Sequence, residues 1–189
     1  IDDFTRARRR AEMEKIVASL TGKSADLLSF EEVRKRVRGI RGNRRVLKDV
    51  PLDSIVGSVG RYDDFTRDFL PRRDSDAERW ARVERLAKDE VGLPPVDLFQ
   101  IGDAYFVNDG NHRVSVARQM GHSHIEAYVT PVHSRVPLSP EVQPKDLILK
   151  AELADFLECT RIDFLRPGVD ITVTSPGASR RGRAPGCSP

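Results

Sequence analysis

"LPPVDLFQIGDAYFVNDGNHRVSVARQMGHSHIEAYV", residues 93–129, is the stretch that decides the fold. Two apolar runs flank Gly102 and Asp103, and this pattern predicts a β-hairpin. A segment with helical spacing begins after Gly110 and ends at Gly121, and the run "HIEAYV" then predicts another strand. The stretch therefore predicts a hairpin, a helix and a strand in succession, with a polar corner where the hairpin becomes the helix.

Upstream of this stretch the sequence predicts three helices and a strand. The third helix lies in "DSDAERWARVERLAKDEVG", where Ser75 or Asp76 caps it, and the strand lies in "VPLDSIVGSV". The second helix starts in "SFEEVRKRV", where Ser29 and Glu32 have the spacing of a capping box. The first helix covers residues 1–20 and has four large apolar side chains on one face: Met13, Ile16, Val17 and Leu20.

Downstream of it, a proline-containing linker leads to "KDLILKAELADFLECT", which predicts a last amphipathic helix. The final residues are rich in Gly, Pro, Ser and Arg, a composition typical of a disordered tail. We divide the chain into a basic helical extension (residues 1–48), a compact domain (49–133), a linker with the C-terminal helix (134–174) and the tail (175–189).

The composition indicates a soluble protein with a modest core. The chain has 189 residues, of which 39% are hydrophobic and 32% charged, and its net charge of +3 is too small to prove a nucleic-acid partner. No apolar run approaches the roughly 18 residues that a membrane span needs. The opening "IDDFTRARRR" is charged from its second residue and lacks a signal-peptide pattern, so we expect a cytoplasmic protein with no membrane partner.

The polar corner, Asp109-Gly110-Asn111-His112-Arg113, has the residue types of an anion site. Glycine allows close backbone approach, and the first N–H groups of the next helix lack partners within that helix. Arg113 supplies a forked donor suited to phosphate, and His112 supplies a hydrogen bond or a charge. Asn111 can cap the helix or bind the ligand, and Asp109 can hold Mg²⁺ or accept a proton from a hydroxyl group.

Two other interpretations of the polar sequences stay open. In the first, the corner is a capped turn that carries a surface arginine, because short motifs also match by chance. In the second, the eight basic side chains of residues 34–48 neutralise nucleic-acid phosphates, with Arg41, Arg44 and Arg45 as the contacts. No aromatic residue interleaves with this basic run for base stacking, so a solvated surface is the competing explanation.

The run from Leu93 to Val129 resembles the ParB/sulfiredoxin superfamily. It has that family's order of elements, from a helix through Pro-Pro, hairpin, polar corner and helix to a strand, and the likeness covers residues 49–133. Sulfiredoxins have Gly-Cys-His-Arg at the corner, ParB proteins have Gly-Glu-Arg-Arg, and ParB-like free serine kinases have Asp-Gly-His-His-Arg. The resemblance implies an α+β fold, a small mixed β-sheet with packed helices, and nucleotide phosphates held at Gly110, His112 and Arg113.

The departures from the family narrow what the resemblance implies. Asn111 stands where sulfiredoxins have the nucleophilic cysteine, and an amide cannot form a thiolate, which excludes sulfiredoxin chemistry here. A single convincing helix follows residue 133, where ParB partition proteins have a helix-turn-helix, so a ParB-type DNA clamp is not expected. Asp109 and His112 agree best with the kinase branch. Arg79 is the nearest match to a phosphate-binding lysine of sulfiredoxins, and the catalytic carboxylate of the kinases falls near Arg61, Asp63 and Asp64.

Two hypotheses of different classes follow. In the first, the protein binds ATP or CTP together with Mg²⁺, and whether it also transfers phosphate is left open by the sequence. The phosphates are held by Gly110, Asn111, His112, Arg113 and Arg79, and Asp109 is the catalytic and Mg²⁺-binding carboxylate. In the second, the protein is a nucleic-acid-binding regulator whose basic 34–48 segment makes the contacts while its core is a scaffold. The sequence does not predict an oligomeric state.

Overall fold

The computed structural model describes residues 2–88, 92–166 and 171, which form a mixed α+β fold. The helices are α1 (Asp2–Thr21), α2 (Phe30–Arg36), α3 (Ala77–Lys88), α4 (Asn111–Gln119), α5 (Asp146–Thr160) and α6 (Ile162–Leu165). The strands are β1 (Leu28–Ser29), β2 (Ile40–Arg41), β3 (Val46–Pro51), β4 (Ile55–Ser58), β5 (Val96–Ile101), β6 (Ala104–Asp109) and β7 (His124–His133). Short 3₁₀ turns lie at Leu52–Ser54 and Asp74–Asp76.

The sheet runs in the order β1-β4-β6-β5-β7-β2, and β3 also pairs with β7. β4 is parallel to β1 and β6, β5 is antiparallel to β6 and parallel to β7, and β2 and β3 are antiparallel to β7. The predicted hairpin is formed by β5 and β6, and Gly102 turns it with a φ of +59°, a conformation that favours glycine. The predicted α+β class with a mixed sheet is confirmed.

Each face of the sheet buries its own cluster of apolar side chains. One cluster joins α2 and α5 to the sheet and contains Phe30, Phe106 and Leu157. The other joins α4 to the sheet and contains Val107 and Val114. Phe106 and Val107 are successive residues of β6 and enter different clusters, as the alternation of side chains along a strand requires. The start of α4, and with it the polar corner, is therefore fixed to the sheet by a buried core.

The predicted N-terminal helix is confirmed as α1, but the prediction of its apolar face is wrong. Phe4 packs against Trp80 in an edge-to-face arrangement, and Ala7 and Ala11 are buried beside Leu70. The four large side chains are between 54% and 81% exposed: Met13, Ile16, Val17 and Leu20. Small alanine side chains allow a helix to approach its neighbour closely. α1 therefore packs through its alanines, and its larger apolar residues lie on the exposed side.

The residues before 49 take part in the same sheet as those after it. β1 pairs with β4, and β2 and β3 pair with β7. α2 follows Ser29 as predicted, although the Ser29 side chain makes no capping hydrogen bond. The division of the chain into segments stays a prediction, and the predicted tail at 175–189 lies outside the described residues. In the part of the chain that is described, no helix is long and apolar enough to cross a membrane.

Candidate functional site

The polar corner is the junction of β6 and α4. Gly110 precedes the first residue of α4 with a φ of +110°, and its carbonyl accepts a hydrogen bond from the N–H of Val114 (3.0 Å). A Cβ atom at this position would lie 2.6 Å from Cγ1 of Val96, so both the conformation and the space require glycine. The first N–H groups of α4 have no acceptor inside the helix and are available to an anion.

The first turn of α4 forms one wall of a cavity of about 340 Å³. The lining residues are Arg61, Arg79, Val83, Asp109, Gly110, Asn111, His112 and Arg113. Arg79 comes from α3, and Arg61 comes from the loop after β4. The structure thus brings Arg79 and the whole of residues 109–113 to one place, as the sequence predicted, and it adds Arg61.

Arg113 is tied to the protein on two sides. Its Nη1 donates to the carbonyl oxygens of Pro94 (3.2 Å) and Pro95 (2.6 Å), and its Nη2 pairs with the carboxylate of Asp109. The side chain of Arg113 is 18% exposed, whereas that of Asp109 is 71% exposed. Arg113 therefore braces the Pro-Pro connection before β5 against the start of α4, and it reaches the cavity as one half of an ion pair.

Asp109 supplies a single carboxylate at the rim of the cavity, and Arg113 neutralises it. Mg²⁺ requires near-octahedral oxygen ligands and is usually held by one or two carboxylates together with substrate phosphates. The described residues contain no group of three or more side chains placed to hold a metal ion. The residues present therefore do not fit a dedicated Mg²⁺ site, and the carboxylate is explained by its pairing with Arg113.

His112 reaches the cavity from a buried position. It is 7% exposed, its ring meets that of Phe65 edge to face at 5.2 Å, and its Nε2 lies 3.8 Å from a carboxylate oxygen of Asp76. Among the described residues, neither ring nitrogen has a hydrogen-bond partner, and the side-chain oxygen of Asn111 also lacks one. Buried polar atoms are normally paired, so this group marks a place where a ligand or water completes the bonding.

Burial lowers the pKa of His112 from its ordinary value of about 6.5. The carboxylate of Asp76 opposes this shift, Arg61 and Arg79 add to it, and Asp64 opposes it. The imidazole is therefore neutral at pH 7 and carries one N–H donor. A negative charge beside an imidazole ring favours its imidazolium form, so an anion placed next to His112 would raise the pKa that burial lowers.

Two buried carboxylates hold Arg61 at the cavity. Its Nη1 lies 3.4 Å from Asp76 and 3.6 Å from Asp64, and Arg73 contacts Asp64 at 3.0 Å. The sequence placed Arg61 and Asp64 near an expected catalytic carboxylate without aligning them, and it treated Asp76 as a helix cap. No local pattern could have assigned Asp76 to the site, because its contact with His112 arises only when the loop folds back.

Arg79 differs from the other arginines of the cavity. It lies on α3, is exposed, and makes no hydrogen bond or ion pair within residues 2–88 and 92–166. Its charge nevertheless acts on His112, whose pKa it lowers. Within the described residues, Arg79 is thus a cation at the cavity without a counter-ion, whereas Arg61 and Arg113 are each paired with carboxylates.

The arginines of the basic segment, residues 34–48, are mostly engaged. Arg41 pairs with Glu31, and its Cζ lies 4.7 Å from the ring centroid of Phe99. Arg45 pairs with Asp97, and its Cζ lies 4.1 Å from the ring centroid of Tyr128. Arg44 is exposed and has no hydrogen bond or ion pair with the described part of the chain. The sequence showed no aromatic residue among these arginines, but the sheet supplies the rings from other strands. Whether the segment contacts nucleic acid stays a prediction.

Comparison with known proteins gives a partial likeness. No protein-family model and no curated protein sequence matches the chain. Among solved structures, sulfiredoxin from Arabidopsis thaliana matches with 19% sequence identity and a TM-score of 0.34, over 44% of this chain and 83% of that chain. At this identity and TM-score the likeness assigns no activity to the chain, and membership of the ParB/sulfiredoxin superfamily is a proposal.

Proposed function

We propose that the cavity at the start of α4 binds the phosphate groups of a nucleotide. The observation that carries this proposal is the buried imidazole of His112, whose two ring nitrogens lack partners among the described residues. The ring lines the same cavity as Arg79, which has no counter-ion in the part of the chain that the structure describes. A phosphate group brings several acceptor oxygens and a negative charge, and it is therefore the ligand that satisfies both groups together with the N–H groups of α4.

The net positive charge around the cavity is similar in magnitude to the negative charge of a phosphate group. Arg61 and Arg73 are balanced by Asp64 and Asp76, and Arg113 is balanced by Asp109. The remaining positive charge comes from Arg79, from the dipole of α4 and from His112 once it is protonated, which together amount to about 2.5 unit charges. A phosphate monoester carries about 1.5 to 2 negative charges at neutral pH. The cavity therefore favours one such group over a neutral ligand.

The motif at the corner supports a nucleotide as the carrier of that phosphate. Asp109, Gly110, His112 and Arg113 stand where ParB-like proteins have the loop that contacts nucleotide phosphates. We therefore include in the proposal that the chain is a ParB/sulfiredoxin-like domain and that ATP or CTP is its ligand. Asn111 occupies the position of the sulfiredoxin nucleophile and cannot form a thiolate. The proposal therefore does not include sulfiredoxin chemistry.

Phosphate transfer and Mg²⁺ are not required by the proposal. A general base must be free to accept a proton from a bound hydroxyl group. Each carboxylate beside the cavity pairs with an arginine through at least one oxygen: Asp64 and Asp76 with Arg61, and Asp109 with Arg113. Oδ2 of Asp76 is buried and has no hydrogen-bond partner among the described residues. These pairs orient the cations that surround the phosphate. We therefore expect binding to persist when divalent cations are removed.

Isothermal titration calorimetry with ATP, CTP, GTP and pyrophosphate tests the proposal. We expect nucleotide binding in EDTA, and a loss of about tenfold to a hundredfold in Arg79→Gln, because the variant lacks charge-assisted hydrogen bonds to the phosphate. Arg85→Gln is the matched control, since Arg85 is exposed on the same helix but does not line the cavity. No binding at millimolar nucleotide would contradict the proposal, and equal losses in both variants would show that net charge alone matters.

A further inference from the structure

A row of three residues leads from the rim of the cavity across the sheet; Asp109 and Tyr128 are exposed, and Asp97 between them is half-buried. Asp109 of β6 is in register with Asp97 of β5, and Asp97 is in register with Tyr128 of β7. Val96 and Ala127, the strand neighbours of Asp97 and Tyr128, are fully buried in the cluster that joins α4 to the sheet, so Asp97 and Tyr128 lie on the opposite face. The pairing of β5 with β6 shifts register between Asp97 and Leu98, and this shift brings Asp109 opposite Asp97. Neighbouring strands are about 4.8 Å apart, which places the backbone of Tyr128 about 10 Å from that of Asp109, a residue that lines the cavity.

Tyr128 carries a stacked guanidinium group. Cζ of Arg45 lies 4.1 Å from the centroid of the Tyr128 ring, and Nη2 of Arg45 pairs with Oδ1 of Asp97. The side chain of Arg45 is 52% exposed, and Tyr128 is 38% exposed. A guanidinium held by a carboxylate at its edge and by an aromatic ring beneath it presents a fixed flat surface, on which a second flat ring can stack.

The described lining of the cavity offers a nucleobase little apolar surface. Among its described lining residues Val83 alone is apolar, and Phe, Tyr and Trp are absent. Its volume of about 340 Å³ is near the lower end of the range for small-molecule sites, about 300–1,000 Å³. A base that stacks on a surface supported by an aromatic ring must therefore lie beyond the rim of the cavity. On the side of Asp109, the rim leads to Asp97 and Tyr128.

We propose that Tyr128, Arg45 and Asp97 form the nucleoside subsite of the ligand whose phosphates occupy the cavity. This inference rests on the phosphate site of the proposed function, and it identifies the ligand class as a nucleoside phosphate rather than an inorganic or sugar phosphate. The base stacks on the guanidinium of Arg45. The second carboxylate oxygen of Asp97 accepts a hydrogen bond from a ribose hydroxyl or an exocyclic amino group. Arg45 thereby contacts a base instead of the phosphate backbone of a nucleic acid.

The test compares nucleoside diphosphates with the bare phosphates. Calorimetry should show that wild-type protein binds ADP and CDP more tightly than pyrophosphate. Tyr128→Leu and Arg45→Gln should each weaken the nucleotides by about fivefold to a hundredfold, the range that the stacking of one base provides, and leave pyrophosphate unchanged. Both side chains are exposed, so neither substitution removes core packing, and circular dichroism checks the fold of each variant.

Tyr105→Leu is the matched control, because Tyr105 is half-buried on β6 near the end of that strand remote from Asp109. We expect it to bind nucleotides and pyrophosphate like wild type. Equal affinities for ADP and pyrophosphate in wild type, or unchanged nucleotide affinity in folded Tyr128→Leu protein, would overturn the subsite and leave the phosphate site standing. Failure of wild type to bind either ligand would overturn the phosphate site and the subsite together.

Discussion

The cavity at the start of α4 and the basic segment of residues 34–48 both resemble anion sites in the sequence. In the structure they differ in whether their polar side chains already have partners. In the cavity, side-chain atoms of Asn111 and His112 are buried and lack partners among the described residues. In the basic segment, Arg41 and Arg45 are exposed and already paired with carboxylates. A surface ion pair contributes little to stability but neutralises its charge, whereas a buried polar atom without a partner costs free energy until a ligand arrives.

The number of positive residues is therefore a weaker guide to a binding site than the state of their partners. The basic segment holds eight basic side chains, and the cavity is lined by three arginines. In the described part of the chain, however, the cavity combines an uncompensated guanidinium, that of Arg79, with a helix start and a buried imidazole. The comparison predicts that substitutions at the corner have large effects on stability and on the binding of bare phosphates, and that substitutions in the segment have small effects on the binding of nucleic acid.

The largest expected effect is that of Gly110→Ala on stability. The new Cβ atom would meet Val96 at 2.6 Å while the backbone holds a φ of +110°. Backbone strain and overpacking each cost about 1–3 kcal/mol, so we expect the free energy of unfolding to fall by about 2–5 kcal/mol. Urea denaturation followed by circular dichroism measures this change.

Gly121→Ala is the matched control for that measurement. Gly121 also has a positive φ, +76°, but nothing lies within 4 Å of the position of its missing Cβ atom. We expect a loss of about 1–2 kcal/mol, which is the conformational part alone. Equal losses in the two variants would show that the close approach of Val96 does not determine the need for glycine at position 110.

Two substitutions compare how much Arg113 and Arg79 contribute to the stability of the fold around the cavity. Arg113→Ala removes hydrogen bonds to Pro94 and Pro95 and leaves Asp109 without its partner, so we expect a loss of about 1–3 kcal/mol in the free energy of unfolding. Arg79→Ala removes no hydrogen bond within the described residues, and we expect a change below about 0.5 kcal/mol. Urea midpoints of the two variants provide the measurement. If both lose less than 0.5 kcal/mol, Arg113 is a surface arginine on a polar turn and not a brace.

The elements around the cavity could be predicted because their signals are local. β5, β6 and α4 lie where two apolar runs, Gly102 and Gly110 place them, since turn residues and periodicity act within a few positions. The apolar face of α1 could not be predicted in this way. Phe4 and two alanines are buried there because α3 and the loop before it lie opposite, and that proximity is a property of the folded chain.

The same distinction applies to the candidate site. Residues 109–113 are contiguous, so the sequence could assemble them into one hypothesis. Asp76 stands 3.8 Å from His112 only after the loop folds, and the ring beneath Arg45 comes from β7. The sequence therefore identified the helix start that lines the cavity, and it missed the contact of Asp76 with His112 and the ring beneath Arg45.

A smaller effect is expected in the pH dependence of stability. Because burial lowers the pKa of His112 below about 6.5, the unfolded chain binds a proton in a pH interval where the folded protein does not. Stability should therefore fall as the pH drops below about 6.5, by at most about 1.4 kcal/mol per pH unit for this one group. Phosphate favours the imidazolium form, so its affinity should rise over the same interval.

Urea denaturation and pyrophosphate titration of wild type and His112→Gln, at one pH above this interval and one within it, measure both trends. The variant should lose less stability on acidification and should show a flatter affinity profile. Identical pH dependences in the two proteins would assign the titration to other groups and remove His112 from the phosphate site.

The smallest expected effect belongs to the basic segment. Arg41 and Arg45 are paired with Glu31 and Asp97, so Arg44 is left as the uncompensated arginine among the three predicted contacts. Each neutralised phosphate changes the slope of log K against log salt concentration by about 0.7 for single strands and about 0.9 for duplexes. We therefore expect the slope for a labelled oligonucleotide, measured by fluorescence anisotropy, to change by about one unit or less in Arg44→Gln. The triple variant with Gln at all three positions should add little to that change.

A change near three units would mean that the ion pairs open for a nucleic-acid backbone, which their small surface stabilisation permits. In that case the basic segment, and not the cavity, would be the principal anion site of the protein.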